Sequence, residues 1–443
     1  MHIIIPPYKP DAGRGFGDDI FNRKIFAKSL TNLIKRTNDP LVISLNGPWG
    51  EGKTTFVKAW QKDLDDQNIP NLYIDAFASD YVNDAFMVVA GAITDYIKEN
   101  APPEKTDAFL DKAKHVGAHL LSVGTKIAIK AASAGLLDSE DFKLADKAVE
   151  DAGSELATGA ESYIRNRLNN HKKDLDSITN FKSYLSSIPN LLNLKSGHSL
   201  TIIIDELDRC RPSFAVEMLE KIKHLFSVHN VTFILVINKT QLQESIRFTY
   251  GPNIDAHIYL QKFLTFETEI PRRGRDQKGV VKTYCEYLAN AHEFQENDVL
   301  IGLFAAIGEH FSLTLRQLEK VFSNYALLSA SIGEPRENDI GVYVGLCVLK
   351  ISHPEIFEKL KTIDISYGEF YRSLKYQGEH ELIYAHELTF TIKWIGLLLM
   401  NDDDLATIDQ GSMEIHMQSR LRARDRQKFL KTAISNLTMF ELK

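Results

Sequence analysis

Cysteine is scarce in this chain. Three occur in 443 residues, Cys210, Cys285 and Cys347, far apart and with no C-x-x-C pair. That excludes a disulfide framework and a cysteine-built metal site, and it fits a reducing cytosol. Positive net charge is also missing. The formal net charge is -7, which argues against bulk electrostatic binding to nucleic acid and leaves room only for a local basic patch. No apolar run is long and clean enough to span a bilayer. The best, Val116 to Leu137, carries His119, Lys126 and Lys130, and a lysine at mid-bilayer costs about 3 kcal/mol on insertion scales. Phe390 to Met400 is apolar but too short, so both stretches read as buried helices. The start, Met1-His2-Ile3-Ile4-Ile5-Pro6-Pro7, has too short an apolar run for a signal peptide. A membrane partner is not expected. A cytoplasmic location is, with peripheral membrane association as the alternative.

Several kinds of chemistry are absent too. No Ser/His/Asp or Cys/His constellation is readable. His380-Glu381 with His386 misses H-E-x-x-H, because six residues turn the second His about 600° round a helix, away from the first. His115 and His119 share a helical face but lack a third ligand. Internal repeats and low-complexity segments are not found.

What is present is a phosphate-binding loop. Gly47-Pro48-Trp49-Gly50-Glu51-Gly52-Lys53-Thr54 has the spacing G-x-x-x-x-G-K-[ST]. It follows the apolar run Leu41-Val42-Ile43-Ser44-Leu45 and precedes a helical pattern starting at Thr55. Glycines let the backbone curl until its N–H groups face a phosphate. Lys53 can then reach the β- and γ-phosphates, and the Thr54 hydroxyl can ligate Mg²⁺. Gly47, Pro48, Trp49, Gly50, Glu51, Gly52, Lys53, Thr54 and Thr55 are thus the expected nucleotide-binding residues.

Four near-continuous β-branched runs read as parallel strands buried on both faces: Leu41–Leu45, Leu72–Asp75, Leu200–Ile204 and Val231–Ile237. Helical patterns separate them, which is α/β alternation. The third run ends in Asp205-Glu206. Carboxylates at a strand's C-terminal edge beside a phosphate loop suit Asp205 to support Mg²⁺ and Glu206 to activate water. Asn238 ends the fourth run, where it could touch the γ-phosphate or the attacking water. Asn238-Lys239-Thr240-Gln241 lacks the final Asp of a guanine-reading N-K-x-D, so ATP is expected rather than GTP.

Ile204-Asp205-Glu206-Leu207-Asp208-Arg209-Cys210-Arg211-Pro212 resembles the hallmark of the KAP family of P-loop NTPases. The tryptophan-bearing phosphate loop is similar to that family's. So are Asp18 to Arg23 with Phe26-Ala27, Tyr73-Ile74-Asp75-Ala76-Phe77 with Asp80-Tyr81, Phe233 to Asn238, and Tyr259-Leu260-Gln261-Lys262-Phe263. The match covers roughly residues 15 to 330. The resemblance implies an α/β fold: a P-loop NTPase core with a parallel sheet of the additional-strand type, its Asp-Glu strand lying between the phosphate-loop strand and its neighbour. It also implies that Arg316, in Leu313-Thr314-Leu315-Arg316-Gln317-Leu318, lies on the nucleotide from a helical lid. Family members often insert transmembrane helices between the two nucleotide motifs, and here the insertion is interrupted by polar residues.

Residues 1–103 are expected to form the first part of the NTPase core, 104–195 a helical insertion, 196–279 the second part of the core, and 280–443 a C-terminal helical lid or partner domain. Arg272, Arg273 and Arg275 form a basic knot after Pro271, and Arg273 is a candidate arginine finger in trans. Arg209 reads as an ion-pair partner of Asp208 and its surroundings, with an interface role as the alternative. Arg420-Leu421-Arg422-Ala423-Arg424-Asp425-Arg426 with Lys428 reads as a solvated helix face or an anionic-partner contact. The expected function is an ATP-binding, Mg²⁺-dependent regulatory or remodelling NTPase. The resemblance points to bacterial anti-phage defence, with a homo-oligomer and a separate effector protein as partners. A nucleotide-gated scaffold with slow hydrolysis and a DNA-transacting ATPase are the alternatives.

Overall fold

A computed structural model describes residues 2–5, 15–17, 19–82, 85–102, 179, 182–188, 192, 199–223, 227–271, 279–294, 298–336, 339–374, 385–400 and 426–439. Most of the expected insertion, the Val116 to Leu137 stretch, His115, His119, His380-Glu381, Asp18, the arginines 272, 273 and 275, and Arg420 to Asp425 lie outside them.

The elements alternate as the apolar runs demand. Helix α1 (Lys24–Arg36) leads into β1 (Leu41–Asn46), α2 (Lys53–Asp66), β2 (Asn71–Asp75) and α3 (Ala85–Asn100). After the insertion come β3 (Leu200–Asp205), α4 (Pro212–Ile222), β4 (Val231–Ile237), α5 (Lys239–Tyr250), α6 (Ala256–Gln261) and β5 (Phe266–Glu269). Pro212 occupies the first turn of α4, where its missing N–H costs nothing.

All pairings are parallel, in the order β2-β3-β4-β1-β5. The sheet is of the additional-strand type, with β4 set between β1 and β3, and only the expected place of the Asp-Glu strand is corrected. The strand beside the phosphate-loop strand is β4, which leads to Asn238, and the Asp-Glu strand β3 lies one place further out. β5 adds a fifth strand to the four expected. Register aligns the strand ends: Asp75 faces Asp205, and Asn46 faces both Ile237 and Glu269. The phosphate loop and the Asp-Glu turn therefore leave from one carboxyl edge, where open α/β sheets bind ligands.

Alternation along each strand feeds two cores. Ile202, Ile204, Phe233 and Leu235 pack with α3, α4 and α5, joined by Leu185 and Ile188 from the end of the insertion. Ile203, Ile234, Ile43 and Leu45 pack with α1 and α2. The fully buried Trp60 of α2 also donates its indole N–H to Thr31 of α1 at 2.9 Å.

A third core belongs to the helices from Val280 onward: α7 (Val280–Ala291), α8 (Asp298–His310), α9 (Leu315–Ile332), α10 (Ile340–Ser352), α11 (Pro354–Thr362), α12 (Tyr367–Ser373), α13 (Ala385–Leu399) and α14 (Arg426–Leu437). In α10 every residue from Ile340 to Leu349 is buried, so it is the central rod of this bundle. The apolar stretch near Phe390 is α13, packed inside the same core through Ile392, Trp394 and Leu398. Among the described residues no helix is long and apolar enough to cross a membrane. We propose residue 280 as the start of a C-terminal helical domain, because the helices of this core run from Val280 onward, with Phe21 packed among them.

Candidate nucleotide site

The loop between β1 and α2 turns on two glycines in the left-handed region, Gly50 at φ 85° and Gly52 at φ 73°. Side chains are strained there, so the turn selects glycine. Gly47 N–H donates to Ile237 O at 3.1 Å, seating the loop against β4. Lys53 opens α2 and folds back: its Nζ donates to Gly47 O at 2.8 Å and Pro48 O at 3.2 Å. The lysine thus occupies the loop's own carbonyls. Burial lowers its proton affinity, and the charges of Asp208, Asp205 and Glu206 work against that.

Across the loop lies the end of β3. Asp205 is only 1% exposed. Its Oδ1 accepts Glu206 N–H at 2.8 Å and its Oδ2 accepts the Tyr73 hydroxyl at 3.2 Å. Burial pushes its carboxyl above the usual range, while hydrogen bonds from Thr54, Glu206 and Tyr73 pull it down. Glu206 sits at φ 62° and ψ 19°, a left-handed conformation that costs a non-glycine residue energy. Its Oε1 accepts the Thr54 hydroxyl at 3.2 Å, and its other oxygen pairs with Arg209. Burial raises the Glu206 carboxyl first, the charge of Asp205 second, and Arg209 opposes both. Asp208, in the short 3₁₀ turn Leu207–Arg209, accepts the Trp49 indole N–H at 2.5 Å.

The helical domain reaches the same loop. Thr314 caps α9 with a reciprocal capping box to Gln317. Arg316 N–H then donates to Gly50 O at 3.1 Å. A Cβ on Gly50 would lie 2.7 Å from Arg316 Cβ, so the first turn of α9 lies directly against the loop. From the other side the buried Arg23 donates to Glu51 O and to Pro271 O, each at 3.0 Å. Beside the loop a pocket of about 370 Å³ is lined by Asn46, Gly47, Pro48, Glu51, Asn238, Thr240, Glu269, Ile270 and Pro271.

Sequence reading placed Lys53, Thr54, Asp205 and Glu206 in one site, and they do meet. Asn238 lines the pocket, with its side-chain oxygen also capping α5 toward Gln241 N–H at 3.5 Å. Arg316 stands at the loop through its backbone, with its side chain exposed. Thr55 is exposed one residue beyond Thr54. Arg273 lies outside the described residues. Arg209 pairs with Glu206 rather than Asp208, because three residues of 3₁₀ turn bring it back over Glu206. Arg23 and the Trp49–Asp208 bond were not anticipated as contacts. The tryptophan within a glycine loop and the second Asp of the Asp-Glu-Leu-Asp run were the available signals.

Thr54 and Asp205 offer oxygen atoms of the kind hard cations take. Among the described residues no group of three or more His, Cys, Asp or Glu could hold a metal ion alone. A cation held at Thr54 and Asp205 would need further oxygen ligands to complete its shell.

Comparison with curated proteins gives no match. Among solved structures, the chain is similar to the ORC2 protein of Aeropyrum pernix in its ADPNP-ADP complexes, at 12% identity and a TM-score of 0.34, over 98% of this chain and 96% of that one. The model of the KAP family P-loop domain matches residues 23–331, well over half of the chain. That span runs from Arg23, which braces the phosphate loop, to helix α9, and the chain belongs to the KAP family of P-loop NTPases.

Proposed function

We propose that this protein is an Mg²⁺-dependent ATPase whose site is closed by its helical lid. The observation that carries this is the 3.2 Å contact between the Thr54 hydroxyl and Glu206. It brings the end of the phosphate loop against the end of β3, where metal ligand and general base must stand together. Lys53 binds the β- and γ-phosphates after leaving Gly47 O and Pro48 O. Thr54 and Asp205 hold the cation. Bound Mg²⁺ would neutralise charge on the phosphate oxygens. Glu206 accepts the proton of the attacking water, and its raised proton affinity suits that work. Asn238 orients the water, and Arg316 approaches the phosphates from α9. Arg273 of a second copy is the proposed finger in trans.

In the cell we place it in the cytoplasm as a regulatory or remodelling NTPase of anti-phage defence, acting as a homo-oligomer with a separate effector protein. The family resemblance supports that role. Phage plating on cells carrying the wild type or Lys53→Ala tests it, and equal plating would refute it.

A nucleotide-gated scaffold is the second reading. The observation favouring it is that Lys53 is bound to its own loop and Glu206 is tied to both Thr54 and Arg209. ATP hydrolysis and nucleotide binding, measured together, separate the two. Lys53→Ala should lose nucleotide binding. Glu206→Gln should bind ATP normally and turn over at least about a hundredfold more slowly. Full turnover by Glu206→Gln would remove Glu206 from catalysis. A wild type that binds ATP without turnover would favour the scaffold.

A further inference from the structure

Asp208 binds neither phosphate nor metal in the reading above, yet it is only 6% exposed. One carboxylate oxygen accepts the Trp49 indole N–H. The other, Oδ1, is buried with no hydrogen-bond partner. A half-satisfied buried carboxylate is costly, so the bond from Trp49 matters more than an ordinary hydrogen bond. Trp49 itself is 41% exposed. Core burial therefore does not account for its ring, and what it contributes is an aimed N–H.

The bond joins segments 159 residues apart, the phosphate loop and the turn Leu207–Arg209. That turn begins at Glu206, whose left-handed backbone persists only if its surroundings hold it. Arg209 N–H donates to Glu206 O at 3.1 Å, closing the same turn. Asp208 is thus the point at which the phosphate loop grips the segment that aims Glu206.

We propose that Trp49 is a positioning residue for hydrolysis: through Asp208 its indole N–H fixes the turn that aims the Glu206 carboxylate. This rests on the hydrolytic reading above. The test measures kcat and KM for ATP in the full chain, for wild type, Trp49→Phe, Asp208→Ala and the double variant. Acrylamide quenching of tryptophan emission gives a readout independent of turnover. Trp60 and Trp394 are 0% and 4% exposed, so quenching reports Trp49. Trp49→Phe changes an exposed position, and a melting curve verifies its fold.

Asp208→Ala should alter the quenching. Each single variant should lower kcat about tenfold or more, as for a lost hydrogen bond to a charged group, with KM within about threefold. The double variant should be no slower than the slower single. Multiplied kcat losses in the double variant would overturn the proposal. So would unaltered quenching in Asp208→Ala, or a raised KM with unchanged kcat. Absence of turnover in the wild type too would sink the hydrolytic reading itself, and this one with it.

Discussion

Replacing Gly50 by Ala probes the junction of the phosphate loop and α9. Gly50 sits at φ 85°, and its new Cβ would stand 2.7 Å from Arg316 Cβ and 3.1 Å from Thr314 Oγ1. Three costs follow. The left-handed backbone strains alanine by about 1–2 kcal/mol. The clash falls on a Cβ close to the α9 backbone, which cannot swing away like a side-chain tip, so relief means moving the helix at about 1–3 kcal/mol. That movement stretches the Arg316 N–H bond to Gly50 O, worth about 1 kcal/mol. Together they come to about 3–6 kcal/mol.

Urea unfolding followed by circular dichroism, beside binding of a fluorescent ATP analogue, reads both consequences. The midpoint should fall and nucleotide affinity should drop at least about tenfold, because the cradle that meets the phosphates is the part displaced. The control is Gly91→Ala in α3, where a Cβ meets nothing within 4 Å and should stabilise by about 0.5–1 kcal/mol. A Gly50→Ala protein with wild-type midpoint and wild-type affinity would refute the reasoning.

Gly345→Ala places a Cβ 2.7 Å from both Ile395 Cδ1 and Thr391 Cγ2, between α10 and α13. It should cost about 1–3 kcal/mol in urea unfolding, and a neutral result would mean that the two helices separate freely. His292 is fully buried, stacks against Phe294 and Phe322, and has no partner at Nε2. Burial lowers its pKa below the ordinary 6.5. The unfolded chain then takes the proton first as pH falls, so this contribution is full above 6.5 and lost below it. Stability measured at several pH values from neutral to 5 should fall more steeply in wild type than in His292→Phe, and parallel curves would refute the assignment.

Much of the site was legible because its chemistry is local. The phosphate loop is eight consecutive residues, and runs such as Leu200–Ile204 carry no other reading than a strand buried on both faces. β5 was not legible: Phe266-Glu267-Thr268-Glu269 is short, and its two glutamates face solvent at the sheet edge. The place of the Asp-Glu strand came from the resemblance alone and was misjudged, because periodicity, which records what a strand buries and not which strand lies beside it, could not check it. The partners of Arg209 and Trp49 needed three dimensions. One depended on the pitch of a 3₁₀ turn, the other on two segments meeting across the sheet edge.

The backbone contact at Gly50 also has a mechanical side. α9 is 18 residues long, about 27 Å at 1.5 Å per residue, and its first turn is pinned to the phosphate loop. A tilt of about 10° at that pinned foot would carry the far end through roughly 5 Å, the size of one helical turn. The far half of α9, with Tyr325 and Leu328, is embedded in the helical core, so the bundle would travel with it. A sub-ångström adjustment at the Gly50 contact would then emerge at the far end of α9 as a displacement of several ångströms.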